Sequence, residues 1–262
     1  MNGDIRQLKA CLNGKRSQAE FPAVPVTPGE LARDAAAAVT AGAEAIHLHA
    51  RGGDGAESVR AADVGAAVAA IRAACPGVAV GVSTGLWITH GDAAARQAAV
   101  AEWPGLAAGE RPDFASVNVS EDGWAGVARS LGAAGIAIEA GVWSVADVQV
   151  LARTSGEGGL PQPPVRILVE VMDERAEAAP RVAGEILHAL GGSVLRGLPR
   201  LLHGEGEGCW PLVAQAAREG LPTRIGLEDT TTGPDGEPVS GNAELVRLAL
   251  DVMNGNYSRG VR

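Results

Sequence analysis

Two of the five histidines, His47 and His49, lie two residues apart in the stretch AIHLHARGGDG at residues 45–55. On a β-strand, side chains at i and i+2 share a face, so both imidazoles would enter the same space. Two imidazole nitrogens on one side supply part of a catalytic divalent-metal site. A third protein ligand, a carboxylate or another histidine, must then come from a different element, with one position left open. Taken singly, each histidine also fits as a core residue satisfied by hydrogen bonds. Late in the chain, TRIGLED at residues 223–229 concentrates charge in an apolar setting. Strand alternation would put Arg224, Gly226 and Glu228 on one face. Glu228 is the leading third ligand, Gly226 leaves room beside it, and Arg224 aims a fixed positive charge at the same interior. Asp229 follows where the strand gives way to a loop. Beside Arg224 it would be held ionised and serve as a general base. A purely structural Arg224–Asp229 ion pair is the alternative.

These groups meet only if the fold brings strand ends together. Short β-rich runs alternate with Ala-rich helical stretches along the chain. Strands are expected at 7–12, 44–50, 78–83, 114–119, 135–140, 165–171, 199–203 and 223–228. Helices are expected at 28–41, 60–75, 92–103, 144–153, 178–190, 209–219 and 242–254. In TPGE, Thr27 is the N-cap, Pro28 opens the first turn and Glu30 completes a capping box. CPG at 75–77 ends the second helix. Eight strands alternating with helices predict a (β/α)8 TIM barrel, an α/β fold filling residues 1–262 as one domain. The rival doubly wound sheet would carry GxGxxG after an early strand, and GGDGAES after the second strand lacks that spacing.

In such barrels the reactive groups sit at the C-terminal ends of the strands. Those ends carry Asn13, His47, His49, Ser83, Thr84, Asn118, Glu139, Glu170, Asp173, His203, Glu205, Glu228 and Asp229, while the strand bodies are expected to be apolar. Polar groups gathered at one rim suggest a site, because burying them unpaired is costly. Loop hydrogen bonding alone would also account for Ser83, Thr84 and Asn118. His90 and His188 are expected to face solvent.

Hydrophobic residues make up 46% of the chain, enough for a core, but only 3% is aromatic, so that core must be aliphatic. The formal net charge of −9 argues against nucleic acid as a partner. No apolar run is long enough to span a membrane. Three widely spaced cysteines, Cys11, Cys75 and Cys209, make neither a disulfide framework nor a CxxC metal knot. With no apolar leader in MNGDIRQLKACLNGKR, the expectation is a cytoplasmic protein.

NGKR, PVTPGELA, AGAEAIHLHAR, GVSTG and RIGLEDT, in this order, resemble the β-keto acid cleavage enzymes, the family of the 3-keto-5-aminohexanoate cleavage enzyme. The resemblance runs from about residue 9 to 90 and again from about 198 to 250. It implies a zinc-bearing barrel that condenses a β-keto acid with the co-substrate acetyl-CoA and releases acetoacetate and a new acyl-CoA. It places Zn2+ on His47, His49 and Glu228, although two histidines and a carboxylate also suit iron or manganese. It makes Asp229 the general base, positioned by Arg224. It assigns Ser83 and Thr84 to the keto-acid end of the substrate, and Asn118 and Glu139 to the rims of strands 4 and 5. It also implies a homo-oligomer.

Arg16, in NGKR after strand 1, stands where amine-substrate members are expected to carry an acid, so a substrate with an anionic or neutral far end is expected here. VEVMDERAEAAP replaces the family's Gly-rich turn after strand 6 and puts Glu170, Asp173 and Glu174 where an acyl-CoA would pass. The competing readings are a CoA-independent metal-dependent aldolase or lyase, an amidohydrolase-type hydrolase, and a non-catalytic binding barrel. The amidohydrolase arrangement puts HxH on the first strand with two further histidines later, and here HxH falls on the second.

Overall fold

A computed structural model describes residues 5–158, 160, 162, 164–172 and 175–257. Its strands are β1 (Leu8–Cys11), β2 (Ala45–Leu48), β3 (Ala79–Ser83), β4 (Phe114–Asn118), β5 (Ala137–Val142), β6 (Arg166–Val171), β7 (Arg200–Gly204) and β8 (Thr223–Ile225). All pair in parallel with their sequence neighbours, and β8 pairs back to β1, so the sheet closes into an eight-stranded barrel. The helices α1 (Pro28–Thr40), α2 (Ala61–Ala74), α3 (Ala93–Val100), α4 (Trp124–Ala133), α5 (Val145–Gly156), α6 (Ala179–Gly191), α7 (Cys209–Glu219) and α8 (Asn242–Met253) each follow the strand of the same number. This is the (β/α)8 architecture expected from the alternation. The capping box is present: Thr27 Oγ1 accepts from Glu30 N, and Glu30 accepts from Thr27 N. Cys75 caps α2, and Gly77 follows with φ of +87°.

Several elements differ from those expected. Helix α4 was not among the expected helices. It starts at Gly123 with φ of +75° and no side-chain cap, and glycines 126 and 132 interrupt it, so neither a start signal nor a clean periodicity marks it. It nevertheless buries Val127, Ala128 and Leu131. The third helix ends at Val100, not 103, because Trp103 precedes Pro104 and enters a separate 3-10 turn, Trp103–Gly105. Finally, β8 stops at Ile225, three residues short of the expected end. From Gly226 the chain turns, with Asp229 N and Thr230 N both donating to Gly226 O at 2.8 and 3.0 Å.

The aliphatic core lies between the sheet and its helices, where Ile46, Leu48, Val80, Val82 and Ile225 meet Leu31, Val64, Val68, Ile71 and Leu245. The barrel interior is different. An apolar plug of Ile5, Ala45, Phe114, Leu168 and Leu201 fills one layer. Next to it, Lys9, Glu139 and Arg166 sit within the strand bodies, contrary to the expectation that those bodies are apolar. Lys9 Nζ lies 2.7 Å from Glu139 Oε2, Arg166 Nε lies 2.8 Å from Glu139 Oε1, and Ser116 Oγ donates to Glu139 Oε2 at 3.0 Å. Both cations also lie over the Phe114 ring, at 5.5 and 5.6 Å from its centroid. All three cysteines are buried and unpaired. Among the described residues no helix is long and apolar enough to cross a membrane.

Candidate active site

His47 is the third residue of β2, and His49 lies one residue beyond the strand. The pleat continues to His49 because Asn13 takes the place of a neighbouring strand. Asn13 Oδ1 accepts from His49 N at 2.9 Å, and Asn13 Nδ2 donates to His49 O at 2.9 Å. The two imidazoles therefore share a side, with ring centroids 5.4 Å apart.

Glu228 reaches them by a route that strand alternation does not describe. A Cβ at Gly226 would collide with the Cys11 carbonyl, so only glycine lets the chain turn this close to β1. Asn242, at the start of α8, pins the turn: its Oδ1 accepts from Leu227 N at 2.7 Å and its Nδ2 donates to Leu12 O at 2.8 Å. Gly14, with φ of +54°, leaves the space that the Glu228 side chain occupies.

As a result, His47 Nε2 and His49 Nε2 lie 3.6 and 3.5 Å from the same atom, Glu228 Oε2, which is buried without a hydrogen-bond partner among the described residues. One atom from each of the three residues falls within a 4.8 Å cluster. Three donors aimed at one point, too far apart to satisfy one another, fit a divalent cation between them. A second cluster, Glu205, Glu228 and Asp229, is equally compact and shares Glu228.

Arg224 joins the two carboxylates. Its Nη2 is 2.9 Å from Glu228 Oε1 and 2.7 Å from Asp229 Oδ1, and its Nε donates to Asp229 Oδ1 at 3.1 Å. Burial raises the Glu228 pKa, but Arg224 and the two histidines outweigh it and hold the carboxyl well below its ordinary value. Asp229 shifts the other way. Burial, reinforced by Glu228 and Glu205, outweighs Arg224 and pushes its pKa up to about 7. The ion pair with Arg224 opposes this rise without cancelling it. Burial also drives the pKa of His203 down to about 4, with Arg224 adding to the effect. His203 lies between Glu170, at 3.6 Å, and Asp229, at 3.9 Å.

His47, His49, Arg224 and Glu228 open onto a cavity of about 380 Å³ at the C-terminal mouth of the barrel, with Asp229 and His203 buried behind them. Its wall includes Ser83, Asn118, Glu170, Glu205, Arg224 and Glu228, together with Trp87, Trp143, Met172 and Lys15. Ser83 Oγ accepts from Gly85 N, and Asn118 Nδ2 donates to Glu121 Oε1. Thr84 lies behind the wall, donating to Ser116 O at 2.7 Å. Glu139 is not a rim residue. It lies in the interior ion-pair layer, because its position, third in β5, points it below the mouth. Arg16 turns away to donate to Leu227 O at 2.7 Å, and its neighbour Lys15 takes the place on the wall. Asp173 and Glu174 lie outside the described residues. His90 and His188 are exposed, as expected.

Several contributors were not singled out from the sequence. Trp143 Nε1 donates to Glu170 Oε2 at 2.9 Å, and Glu57 meets His49 Nδ1 at 2.5 Å. Lys9 had a usable signal, a lone cation in the middle of an apolar strand. Trp87 stands in a 3-10 turn and Trp143 and Glu57 in connecting segments, and none of the three carried one.

The family profile described as beta-keto acid cleavage enzyme matches residues 7–257. The chain belongs to that family. Within it, the 3-keto-5-aminohexanoate cleavage enzyme of Fusobacterium nucleatum is 45% identical to this chain over 64 residues, a stretch covering 24% of each protein. The protein of the same name from Acetoanaerobium sticklandii is 26% identical over 242 residues, 87% of this chain and 84% of that one. A solved ternary complex of ObcA with a C4-CoA adduct and oxalate shares the fold, with a TM-score of 0.71 at 17% identity. That match covers 89% of this chain and 64% of ObcA, so this chain spans less than two thirds of ObcA's length.

Proposed function

We propose that this member of the family condenses a β-keto acid with acetyl-CoA and cleaves the product to acetoacetate and a new acyl-CoA, with a divalent metal, zinc first, on His47, His49 and Glu228. The observation that carries the reading is the convergence of the two imidazole Nε2 atoms on Glu228 Oε2, with Asp229 beside them. A cation held by these three groups would supply Lewis-acid polarisation of the substrate's keto oxygen.

The remaining chemistry belongs to the chain's own residues. Asp229 Oδ2 is buried and free of hydrogen bonds among the described residues, and it accepts the proton from the carbon between ketone and carboxylate. Arg224 holds Oδ1 and so aims that free oxygen. The carbanion attacks the acetyl thioester carbonyl and expels CoA as thiolate. That thiolate then adds to the original ketone carbon. The C–C bond on its carboxylate side breaks, giving R–CO–SCoA and the carbanion of acetoacetate, which takes back the proton held by Asp229, so atoms and charge balance. Ser83 and Asn118 on the wall bind the keto-acid end, whereas Thr84, Glu139 and Arg16 act behind it. Lys15 faces the far end of the substrate, keeping the expectation of an anionic or neutral group there. The cavity matches a small keto acid and an acyl end rather than a whole CoA. The reading extends to one barrel domain over residues 1–262, a homo-oligomer and a cytoplasmic location.

The deciding experiment is a panel of β-keto acids, each with and without acetyl-CoA, followed by mass spectrometry. Acetoacetate that forms only with acetyl-CoA supports the reading and names the substrate. Cleavage without acetyl-CoA assigns a CoA-independent lyase instead. No turnover by metal-loaded protein sinks both.

A further inference from the structure

The loop after β2 does not leave the barrel directly. It folds back as a short hairpin, with Gly52 N donating to Ala56 O at 2.8 Å and Ser58 N donating to Ala50 O at 2.9 Å. Arg51 and Glu57 face each other across it as an antiparallel bridge. Arg51 anchors the hairpin to the loop after β1, its Nη2 donating to the carbonyls of Gly14 and Arg16. The return strand delivers Glu57 to the outer edge of His49, where Oε1 lies 2.5 Å from Nδ1. The same carboxylate accepts from Trp87 Nε1, at 3.2 Å from each oxygen. Trp87 belongs to a 3-10 turn, Leu86–Thr89, after β3, and its ring stacks on His49 with centroids 6.0 Å apart and planes at 30°. The ring also lies over Gly85, where a Cβ would collide with it.

Trp87 is 40% exposed, so it is not held in place by core packing. Its position depends on the stacking against His49 and the bonds to Glu57. Glu57 thus touches a metal-facing imidazole and a wall of the substrate cavity at once. With Nδ1 donating to Glu57, the lone pair of His49 is at Nε2, on the Glu228 side. Carboxylates placed this way orient ligating histidines and raise their basicity.

We propose that Glu57 is a positioning residue that fixes His49 and Trp87 as one unit, so that the ligand geometry of the metal and the shape of the substrate cavity are set together. The inference rests on the reading of His47, His49 and Glu228 as metal ligands. It adds a consequence that reading does not require: metal binding is sensed at Trp87, and loss of Glu57 weakens the metal without removing any ligand.

The test uses zinc and cobalt(II) with the whole protein and the variants Glu57→Ala, Glu57→Gln and Trp87→Phe, each shown by thermal melting to be folded without metal. Zinc affinity is measured against a chromophoric chelator, cobalt coordination by its visible bands, and Trp87 by the metal-induced change in tryptophan emission. Glu57→Ala should bind zinc about 10–100-fold more weakly, with shifted cobalt bands and no emission change. Trp87→Phe should lose the emission change and keep the affinity. Glu57→Gln keeps an acceptor for His49 but turns an N–H towards the indole, so it should retain most of the affinity and lose the emission change. If Glu57→Ala does not fold, Glu57→Gln alone decides: an emission change like that of the wild type overturns the unit. Wild-type affinity and cobalt bands in Glu57→Ala also overturn it. A wild-type protein that binds neither metal removes the metal reading and this inference with it.

Discussion

Arg224 directs two N–H groups at one oxygen of Asp229. Nε and Nη2 donate to Oδ1 at 3.1 and 2.7 Å, while Oδ2 is buried with no partner among the described residues. A carboxylate clamped on one side and bare on the other has one oxygen for orientation and one for proton transfer. The same guanidinium reaches Glu228 Oε1, so the proposed base and the proposed metal ligand share one cation.

Asp229→Asn keeps the shape and an acceptor for Arg224 but cannot take a proton. Turnover of the β-keto acid should fall by about 10²–10⁴-fold, the usual contribution of a positioned general base. Zinc affinity should hold, since His47, His49 and Glu228 are untouched. Steady-state kinetics and metal content measured on the same preparation check this. A loss of zinc in step with the loss of rate would reassign Asp229 to the metal.

The pH profile follows from the position of Asp229 near neutrality. The base must be ionised, so kcat/KM should rise with pH along an acid limb at or below about 7, the value to which burial and its acidic neighbours push Asp229. A cation on Glu228 offsets one of those neighbours and moves the limb of loaded enzyme to lower pH. Arg224 is the group that opposes the rise, so Arg224→Met should move the limb to higher pH. An unmoved limb in that variant would mean that another group sets it.

Much of this arrangement was legible in the sequence, for a physical reason. Local period and caps record strands and helices, and two histidines at i and i+2 record a shared face. What escaped depends on partners distant in the chain. His49 lies outside its strand and keeps the pleat only because Asn13 bonds both its N–H and its carbonyl. Glu228 enters through a turn at Gly226, set by the Cys11 carbonyl and by Asn242, not through strand alternation. Glu139 and Asn118 are both polar residues of neighbouring strands, yet register alone puts one below the mouth and the other on its wall. Glu57 has no signature at all until the hairpin folds.

Removing the metal should affect stability as well as rate. A ligand that binds only the folded state stabilises it by about 4 kcal/mol at a thousandfold excess over Kd. Zinc should therefore raise Tm, and a chelator should reverse the rise. His47→Ala should abolish the zinc-dependent part, because two remaining donors make a poor site. Differential scanning calorimetry with and without zinc reads this directly, and equal zinc-dependent shifts in wild type and His47→Ala would move the metal to another site.

The ion-pair layer gives a prediction that separates structure from substrate contact. Glu139 is fully buried between Lys9 and Arg166. Glu139→Gln removes the carboxylate that pairs with Lys9 and Arg166, and breaking a buried pair by removing one partner costs about 3–5 kcal/mol. Lys9→Met removes one cation and leaves Glu139 with Arg166 and Ser116, so it should cost less. Urea unfolding of both variants gives the order. The surviving Glu139→Gln enzyme should show a KM for the β-keto acid close to that of the wild type, because the carboxylate lies behind the wall that the substrate meets. A large rise in KM with little loss of stability would instead put Glu139 in contact with the substrate.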